Sequence, residues 1–407
     1  MTLEAGGEGA GNARYAFRLR VSSTARTALL AEWDRCRWVW NECVAKSKQV
    51  HLHNRAHPGD KRTCGPAQLD KMLTEARRIM PWLRGGSCVP QQQIIRDFGK
   101  SRAKALKDII ERLPVRQRAG MPHFKKKDLA DPTLNYTKRG FRLKDGRLHL
   151  AGGIMATVVW SRDLPAEPSS VRVYRDSLGH WYASFVVPAR SEPLPGTGQM
   201  IGIDWGVKET ATTTSSTHDL PHAEHGRKAA AKLARYQRMM ARRKPKRGQA
   251  VSNGYRKARR QTAKLHKKAA RQRQDTGRKW AKAVVRDHDV LAVEDFKPKF
   301  LAKSTMARKA ADAAIGATKK ALLEMGRKHG RDVRLVHPAH TTMDCAQCGA
   351  RAKHALPLGE RTYSCTACGA ESPRDKNSAR VMLIRAGLAP AGADRVRPDR
   401  PPDSQAA

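Results

Sequence analysis

The sequence predicts a multidomain protein of the α+β class, and three patterns in it lead to that fold class. Residues 15–21 alternate apolar and polar side chains, as a half-buried strand does. Residues 29–43 carry an apolar stripe at spacings of four and three, which is typical of an amphipathic helix. In the second half, short apolar runs at 200–204 and 290–294 are typical of buried strands. With 407 residues, the chain is long enough for two or three domains.

The charge balance is the strongest compositional signal. The chain holds 80 Lys and Arg against 37 Asp and Glu, a formal net charge of +43. Charge of this size needs a polyanionic partner, and nucleic acid is the first candidate. A small-metabolite enzyme or an extracellular receptor would not need it. The absence of an apolar run of about 18 residues argues against a membrane span. The N-terminus lacks the apolar core of a secretory signal.

The first half is predicted to run from a strand through helices to a set of short strands. Gly85 and Gly86 interrupt the helical pattern, and Gly and Pro separate the later strands as in a small antiparallel barrel. The predicted elements are a disordered stretch (1–12), a strand (15–21), a helix (29–43), further helix (66–112, broken at 84–87), a basic loop (114–127), short strands (141–187) and a linker (188–198).

The second half is predicted to alternate buried strands with helices. Its most unusual part is residues 227–279, which hold 21 Lys or Arg and a single acid, Asp275. The predicted elements are a strand (200–204), that basic stretch, a strand (290–294), a long helix (306–329), a strand (333–336), a cysteine-rich segment, a short helix (375–386) and a disordered tail (389–407).

Four of the eight cysteines are spaced as ligands of one metal ion. Cys345, Cys348, Cys365 and Cys368 form two CxxC pairs separated by 16 residues. Four thiolates close a tetrahedral shell, so this would be a structural zinc site without an open position for chemistry. Gly349 and Gly369 follow the pairs, where a tight turn is needed. Iron also accepts four thiolates, but zinc is favoured, and the remaining alternative is four unrelated buried cysteines.

Three acids at element ends are candidate ligands for a second kind of metal site. Asp204 and Glu294 each end a short apolar strand, and Asp375 stands at a predicted helix start. A carboxylate at an apolar strand end is costly unless it is paired or bound to metal. Three converging carboxylates would suit Mg²⁺ or Mn²⁺ and phosphodiester chemistry. Taken singly, each acid has an ordinary alternative as a turn former or a helix cap. Asp295 should point away from Glu294 along the strand.

The order of the motifs resembles that of the TnpB group of RuvC-type nucleases. This group comprises transposon-encoded TnpB proteins and the compact type V CRISPR effectors. The specific motifs are GIDWGVK (202–208), AVEDF (292–296), HPAHTTMDCAQCG (337–349) and SCTACGAESPRDKNSARVM (364–382). Weaker N-terminal likenesses are RCRWVWN (35–41), GMPHFKKK (120–127) and GHWYASFVV (179–187). The likeness touches most of the chain between residues 14 and 386.

The resemblance implies an RNA-guided DNA endonuclease with an RNase H-like RuvC core. The family's catalytic Asp, Glu and Asp fall on Asp204, Glu294 and Asp375, which would hold two Mg²⁺ or Mn²⁺ ions. The zinc ribbon precedes the last acid. The family often has Asp-Arg-Asp before an Asn, whereas this chain has Pro373-Arg374-Asp375. The acid two residues before Asn377 is retained.

The resemblance also implies a domain layout. A wedge-type β-barrel and a helical recognition lobe would hold the guide RNA and the target DNA. The expected boundaries are the barrel at 13–24 and 118–197, the lobe at 25–117, the RuvC core at 198–336 with the basic helical segment at 227–279, the zinc ribbon at 337–372 and the C-terminal part of the core at 373–388.

Basic residues in the first-half loop and in the basic helical segment are candidate contacts to nucleic acid. Contacts of this kind position a phosphate backbone and make affinity fall with salt. The alternative is a charged helix face that contacts only solvent. The candidates are Lys125, Lys126, Lys127, Arg242, Arg243, Lys244, Arg256, Lys257, Arg259, Arg260, Lys267 and Lys268.

Three functions are compatible with these observations. The leading one is metal-dependent, RNA-guided cleavage of double-stranded DNA beside a short adjacent motif, and of single-stranded DNA. The second is a guide-dependent DNA-binding repressor that cuts poorly. The third is a guide-free RuvC-like nuclease or recombination protein. Each would work as a monomer or a dimer in the prokaryotic cytoplasm, at the nucleoid during action.

Overall fold

A computed structural model describes residues 11–127, 130–246, 249–298, 301, 304–357 and 359–388. The chain forms two compact units, residues 1–190 and 191–407. The predicted disordered tail (389–407) and residues 1–10 of the predicted disordered start lie outside the described residues. Asn12 does not fit that prediction, because it begins a strand and pairs with Pro188. None of the described helices combines the length and the apolar character needed to cross a bilayer.

The first unit contains a seven-stranded antiparallel sheet. Its strands are β1 (Asn12–Arg20), β2 (Thr133–Thr137), β3 (Phe141–Lys144), β4 (Arg147–Leu150), β5 (Ile154–Val159), β6 (Ser170–Arg175) and β7 (Trp181–Pro188). The strand order is β2-β6-β7-β1-β5-β4-β3, so β1 lies at the centre between β7 and β5. The predicted strands at 15–21 and within 141–187 are confirmed, whereas β2 lies ahead of the predicted strand region.

The sheet must curl almost into a barrel. Its two edge strands, β2 and β3, are separated in the chain only by the turn Lys138–Gly140. A flat sheet of this order would put its edges roughly 29 Å apart at a strand spacing of about 4.8 Å. A three-residue connection reaches only about 14 Å. The short connection therefore brings the two edges together, as expected for a small barrel.

Helices follow the first strand and pack on the same core. They are α1 (Ser23–Ala56), α2 (Pro66–Ile79), α3 (Pro81–Arg84) and α4 (Cys88–Ile110). The Ser22 side chain caps α1 by accepting the Ala25 N–H, and the predicted stripe of α1 is buried, with Cys36 and Cys43 at 1% and 0% exposure. The predicted break lies between α3 and α4, where the Ser87 hydroxyl caps the new helix.

The second unit is built on a mixed five-stranded sheet. Its strands are β8 (Met200–Trp205), β9 (Glu209–Thr213), β10 (Leu220–Pro221), β11 (Val290–Glu294) and β12 (Asp332–Val336). The order is β10-β9-β8-β11-β12, with β8, β11 and β12 parallel to one another and β9 antiparallel to β8. All three predicted strands are confirmed. The sheet therefore places the ends of β8 and β11 side by side.

Helices and a small ribbon complete the second unit. The helices are α5 (His225–Arg242), α6 (Asn253–Asp287), α7 (Ala307–Ala313), α8 (Ile315–Lys328) and α9 (Arg374–Arg385), and the ribbon pairs β13 (Thr362–Ser364) with β14 (Glu371–Pro373). The predicted short helix is confirmed as α9.

The prediction of one long helix over 306–329 is wrong. Ala314 adopts a left-handed conformation with φ of 54° and divides the helix into α7 and α8. The break allows Asp312 in α7 to accept the N–H groups of Gly226 and Arg227 in the first turn of α5 at 2.7 and 3.0 Å. An alanine gives no sequence signal for such a break, because it is the strongest helix former.

Candidate metal centres and nucleic-acid interface

The four predicted zinc ligands converge. Among the described residues, they are the one group of Cys, His, Asp or Glu whose ligand atoms all lie within 4.8 Å of one another. The Sγ atoms of Cys345 and Cys368 are 3.8 Å apart, and those of Cys348 and Cys365 are 3.6 Å apart. A tetrahedron with Zn–S bonds of about 2.3 Å has edges of about 3.8 Å. The cluster could therefore bind one zinc ion, and its sulfurs are too far apart for disulfides.

Both CxxC pairs sit in turns of the same kind. The N–H of Gly349 donates to the Cys345 carbonyl at 3.0 Å, and the N–H of Gly369 donates to the Cys365 carbonyl at 2.9 Å. The two glycines have φ of 76° and 68°, a region that costs other residues energy. The expectation of a tight turn after each pair is confirmed.

The acid residues Asp204 and Glu294 lie on neighbouring parallel strands. The β8–β11 ladder pairs Ile203 with Val293, and the two acids follow directly at the ends of these strands. Asp204 is 8% exposed and Glu294 is 6% exposed. Burial raises the pKa of Asp204 well above its usual range, and the nearby Glu294 and Asp375 carboxylates raise it further. The structure therefore places two buried carboxyl groups next to each other.

Asp375 reaches the same place because α9 packs directly on β8. Gly202 in β8 makes this possible, since a Cβ atom there would lie 2.0 Å from the Ala379 carbonyl oxygen of α9. Asp375 is the second residue of α9, and its side chain remains 34% exposed. The Asp375 carboxylate contributes to the raised pKa of Asp204. Asp375 therefore lies near the two buried acids, on their more open side, although the three acids are not gathered as closely as the four cysteines. We call this group the acid site.

The electrostatics of the acid site favour a cation. Burial raises the pKa of Glu294 to about 7, although the Trp205 N–H and Lys319 act to lower it. Two carboxyl groups with raised pKa values share a buried space, which disfavours their charged forms. Carboxylate oxygens are ligands that Mg²⁺ and Mn²⁺ prefer, and a divalent cation would offset this cost. The donor chemistry of these residues therefore suits such ions.

Asp295 faces a different environment from its neighbour Glu294. Its carboxylate accepts from Lys319 Nζ at 2.6 Å and lies 3.8 Å from Lys297 Nζ. The Lys319 hydrogen bond and charge lower the pKa of Asp295. Asp295 is thus a charge-balanced acid beside the acid site and provides a natural control residue.

Two residues that the sequence analysis gave no role hold the acid site in place. The indole Nε1 of Trp205 donates to the Glu294 carbonyl at 3.1 Å, and the Trp205 backbone N–H donates to Glu294 Oε2 at 3.2 Å. Asn377 accepts the Ala346 N–H at 3.0 Å and donates to the Asp344 carbonyl at 2.8 Å. Asn377 thereby joins α9 to the first CxxC turn. A tryptophan after a strand-end acid, or an asparagine in a helix, carries no signal of such bonds by itself.

The helices α5 and α6 present most of the predicted basic contacts to solvent. Along its first 25 residues the buried positions of α6 are small, namely Ala258, Ala269 and Gly277, and larger buried residues follow only near its C-terminal end. Among the predicted contacts here, Lys267 is half-buried, and the exposed ones are Arg242, Arg243, Lys244, Arg256, Lys257, Arg259, Arg260 and Lys268. At about 1.5 Å per residue, the 35-residue α6 is roughly 50 Å long. The structure thus displays a long basic surface.

The three lysines predicted as contacts in the basic loop of the first unit differ in their exposure. Lys126 and Lys127 are exposed. Lys125 is half-buried, and its Nζ lies 4.2 Å from the ring centroid of Trp40 and 5.7 Å from that of Trp33. Burial lowers the pKa of Lys125. Lys125 therefore has intramolecular cation–π partners, unlike the two lysines that follow it.

Comparisons with known proteins agree on one family. Residues 182–305 match a family model described as OrfB_IS605, probable transposase, and residues 316–382 match one described as Cas12f1-like, TNB domain. A "Putative RNA-guided DNA endonuclease" of Streptomyces pristinaespiralis is 30% identical over 361 residues, covering 87% of this chain and 86% of that protein. A "Putative RNA-guided DNA endonuclease InsQ" of Escherichia coli K12 is 28% identical over 407 residues, covering 95% of each chain.

A solved structure supports the fold. A Cas12f1 chain, determined by cryo-EM in a complex with sgRNA and target DNA, matches with a TM-score of 0.54 at 12% identity. The match covers 91% of this chain and 98% of that chain. The mixed α/β architecture is therefore that of this group. From the sequence shared with these relatives over most of its length and from the two family models, the chain belongs to the TnpB and compact type V effector family.

Proposed function

We propose that the protein is an RNA-guided DNA endonuclease that hydrolyses phosphodiester bonds at the acid site. The burial of Asp204 and Glu294 on neighbouring strands, with Asp375 close enough to raise the pKa of Asp204, is the observation that carries the proposal. The names of the full-length relatives support the guide and the DNA substrate. Guide RNA and target DNA are the partners, and zinc on the four cysteines is the structural cofactor.

The carboxylates of the acid site act as ligands. Asp204 and Glu294 would hold divalent cations from the buried side, and Asp375, which is more exposed, would add a ligand from α9. When bound, two Mg²⁺ or Mn²⁺ ions supply activation of an attacking water and stabilisation of the leaving 3′ oxygen. By placing such ions, the same residues would also orient the scissile phosphate.

The rest of the chain holds the nucleic acid. The exposed lysines and arginines of α5 and α6 contact phosphates and carry no sequence information. Base pairing with the guide supplies most of the specificity. We assign the RuvC core to 198–336 and 373–388, the zinc ribbon to 337–372, the wedge barrel to 13–24 and 118–197, and the recognition lobe to 25–117.

A comparison of binding with cleavage tests the proposal. The protein is purified with the RNA that accompanies it and given DNA that matches this RNA, with Mg²⁺ present. We expect the wild type to cut, and Asp204→Ala to bind with similar affinity without cutting. Binding without cutting by both proteins would establish a DNA-binding repressor instead. Cutting that needs no RNA would establish a guide-free nuclease.

A further inference from the structure

Trp205 makes two hydrogen bonds to Glu294, the acid at the end of β11. Its indole Nε1 donates to the Glu294 carbonyl oxygen at 3.1 Å, and its backbone N–H donates to the Glu294 carboxylate at 3.2 Å. Both groups are buried, with Trp205 at 5% and Glu294 at 6% exposure. One residue therefore holds both the main chain and the side chain of Glu294.

The indole bond lies just beyond the ladder between β11 and β8, although β11 still pairs with β12 there, Glu294 with Val336. β11 ends at Glu294, and its ladder with β8 ends at the pair Val293 and Ile203. The Trp205 indole supplies the Glu294 carbonyl with a buried donor beyond this last pair. A buried carbonyl group needs such a partner, because leaving it unpaired is costly. Among the aromatic side chains that suit this buried position, only tryptophan carries an N–H on a large apolar ring.

A second tryptophan lies beside the Trp205 ring but does not bond to the acid site. The Trp280 ring of α6 packs edge-on against the Trp205 ring, with centroids 5.8 Å apart and planes at 65°. Trp280 Nε1 donates to the His218 carbonyl at 2.7 Å and makes no contact of this kind with Glu294. The two tryptophans are thus similar in burial and chemistry, but only Trp205 bonds to an acid of the site.

We propose that Trp205 is a positioning residue that orients Glu294 for divalent-cation binding, an inference that rests on the proposed function. Residues that orient a metal ligand affect ion affinity without touching the ion. Phenylalanine at position 205 would keep the ring packing and the backbone N–H but lose the indole bond. The effect should appear in ion dependence and not in nucleic-acid affinity.

The test compares Trp205→Phe with Trp280→Phe, its matched control. The first readout is the rise in thermal midpoint on addition of Mn²⁺, with Asp204→Ala as the baseline for ions bound elsewhere. The second is the Mn²⁺ concentration that gives half-maximal cleavage. We expect Trp205→Phe to need roughly tenfold to a hundredfold more Mn²⁺ in both assays. Trp280→Phe should keep the wild-type ion dependence even if its unfolding temperature falls.

The outcomes separate this inference from the proposed function. If Trp205→Phe and Trp280→Phe have the same Mn²⁺ dependence, Trp205 is only a packing residue and the inference is overturned. If the wild type shows no Asp204-dependent response to Mn²⁺, the acid site binds no ion and the proposed function fails first. If Mn²⁺ raises the thermal midpoint of the wild type but no cleavage is seen, the proposed function fails. A higher Mn²⁺ requirement of Trp205→Phe than of Trp280→Phe in the thermal assay would then still support the positioning role.

Discussion

The four-cysteine cluster and the acid site lie in the same unit of the chain but are assembled in opposite ways. The cysteines come from two similar turns within residues 345–368, and their sulfurs close around one point. The acids come from β8, β11 and α9, and Asp375 leaves one side open. A closed thiolate shell stabilises a fold, whereas an open carboxylate site leaves room for a substrate.

The two sites also differ in their effect on the stability of the fold. Binding of zinc by the cysteines would stabilise the ribbon directly. Burial of Asp204 and Glu294 instead raises their pKa values, so that the acid site opposes folding when no cation is bound. A protein that retains such a pair gains something other than stability from it. The expected outcomes below follow from this difference, from the largest effect to the smallest.

Removing one acid of the site should have the largest effect on activity. We expect Glu294→Gln to lower the single-turnover rate of DNA cleavage by about a thousandfold or more, because the site loses a charged ligand. The matched control is Asp295→Asn, since Asp295 is the next residue but is paired with Lys319. Its rate should stay close to that of the wild type. Similar losses in both variants would contradict the assignment of Glu294 to the site.

Removing one cysteine should act through the fold. We expect Cys365→Ala to lose its zinc, measured by elemental analysis, and to unfold at a lower temperature. Asn377 ties the first CxxC turn to α9, so cleavage should also fall, by about tenfold to a hundredfold. The control is Cys88→Ala, because Cys88 is exposed and stands apart from the cluster. Full zinc content in Cys365→Ala would refute the structural zinc site.

The two sites should respond to pH in opposite directions when no divalent cation is added. The folded protein keeps Glu294 protonated up to about pH 7, whereas the unfolded chain releases that proton near pH 4.5. The contribution of Glu294 to stability is therefore full below pH 4.5 and is lost as the pH rises through 7. Thiolates must be deprotonated to bind zinc, so the cluster weakens as the pH falls.

Chemical denaturation of wild type and Glu294→Gln at pH 5 and pH 8 measures the acid-site part of this response. Between pH 5 and pH 8, the free energy of unfolding of the variant should rise by about 2 kcal/mol relative to that of the wild type. The reason is that each unit of pKa shift is worth about 1.4 kcal/mol. Zinc retention over the same range, followed with a chromogenic chelator, measures the cluster. A stability difference that is independent of pH would contradict the raised pKa of Glu294.

Neither site should set the affinity for nucleic acid, and a salt titration tests this. We expect Lys264→Ala on α6 to reduce the slope of log affinity against log salt by about one. Lys320→Ala on α8 is the matched control, because Lys320 is also exposed but is paired with Glu324. Glu294→Gln should leave the slope unchanged. A changed slope in Glu294→Gln would mean that the acids take part in binding.

The same contrast explains how much could be predicted from the sequence. The cysteine cluster follows from spacing alone, since two CxxC turns need only a local backbone geometry. The strands carrying Asp204 and Glu294 also follow from their apolar runs. That Asp375 would lie close to these acids does not follow from any local pattern, and the resemblance to a known family supplied that expectation. Its physical basis is Gly202, whose missing side chain lets α9 approach β8.

What the sequence did not reveal depends on tertiary contacts. The break at Ala314 is stabilised where Asp312 caps α5, and a strong helix former conceals it. The bonds of Trp205 to Glu294 require two strands to be in register. The cation–π contacts of Lys125 require α1 to lie beneath its loop. Charge patterns predict where a basic surface lies, but they do not show which lysines face inward.

Sequencing the RNA that copurifies with the protein tests the central claim most directly. The protein is expressed with its native flanking DNA and purified at moderate salt. We expect one dominant, structured RNA with a defined end next to a variable stretch, and DNA matching that stretch should be cut. A variable stretch that matches a repeat-array spacer would indicate a CRISPR effector, and one that continues into sequence beside a transposon end would indicate a TnpB-like protein. A heterogeneous mixture of host RNA, with no dependence of cutting on it, would contradict RNA-guided cleavage.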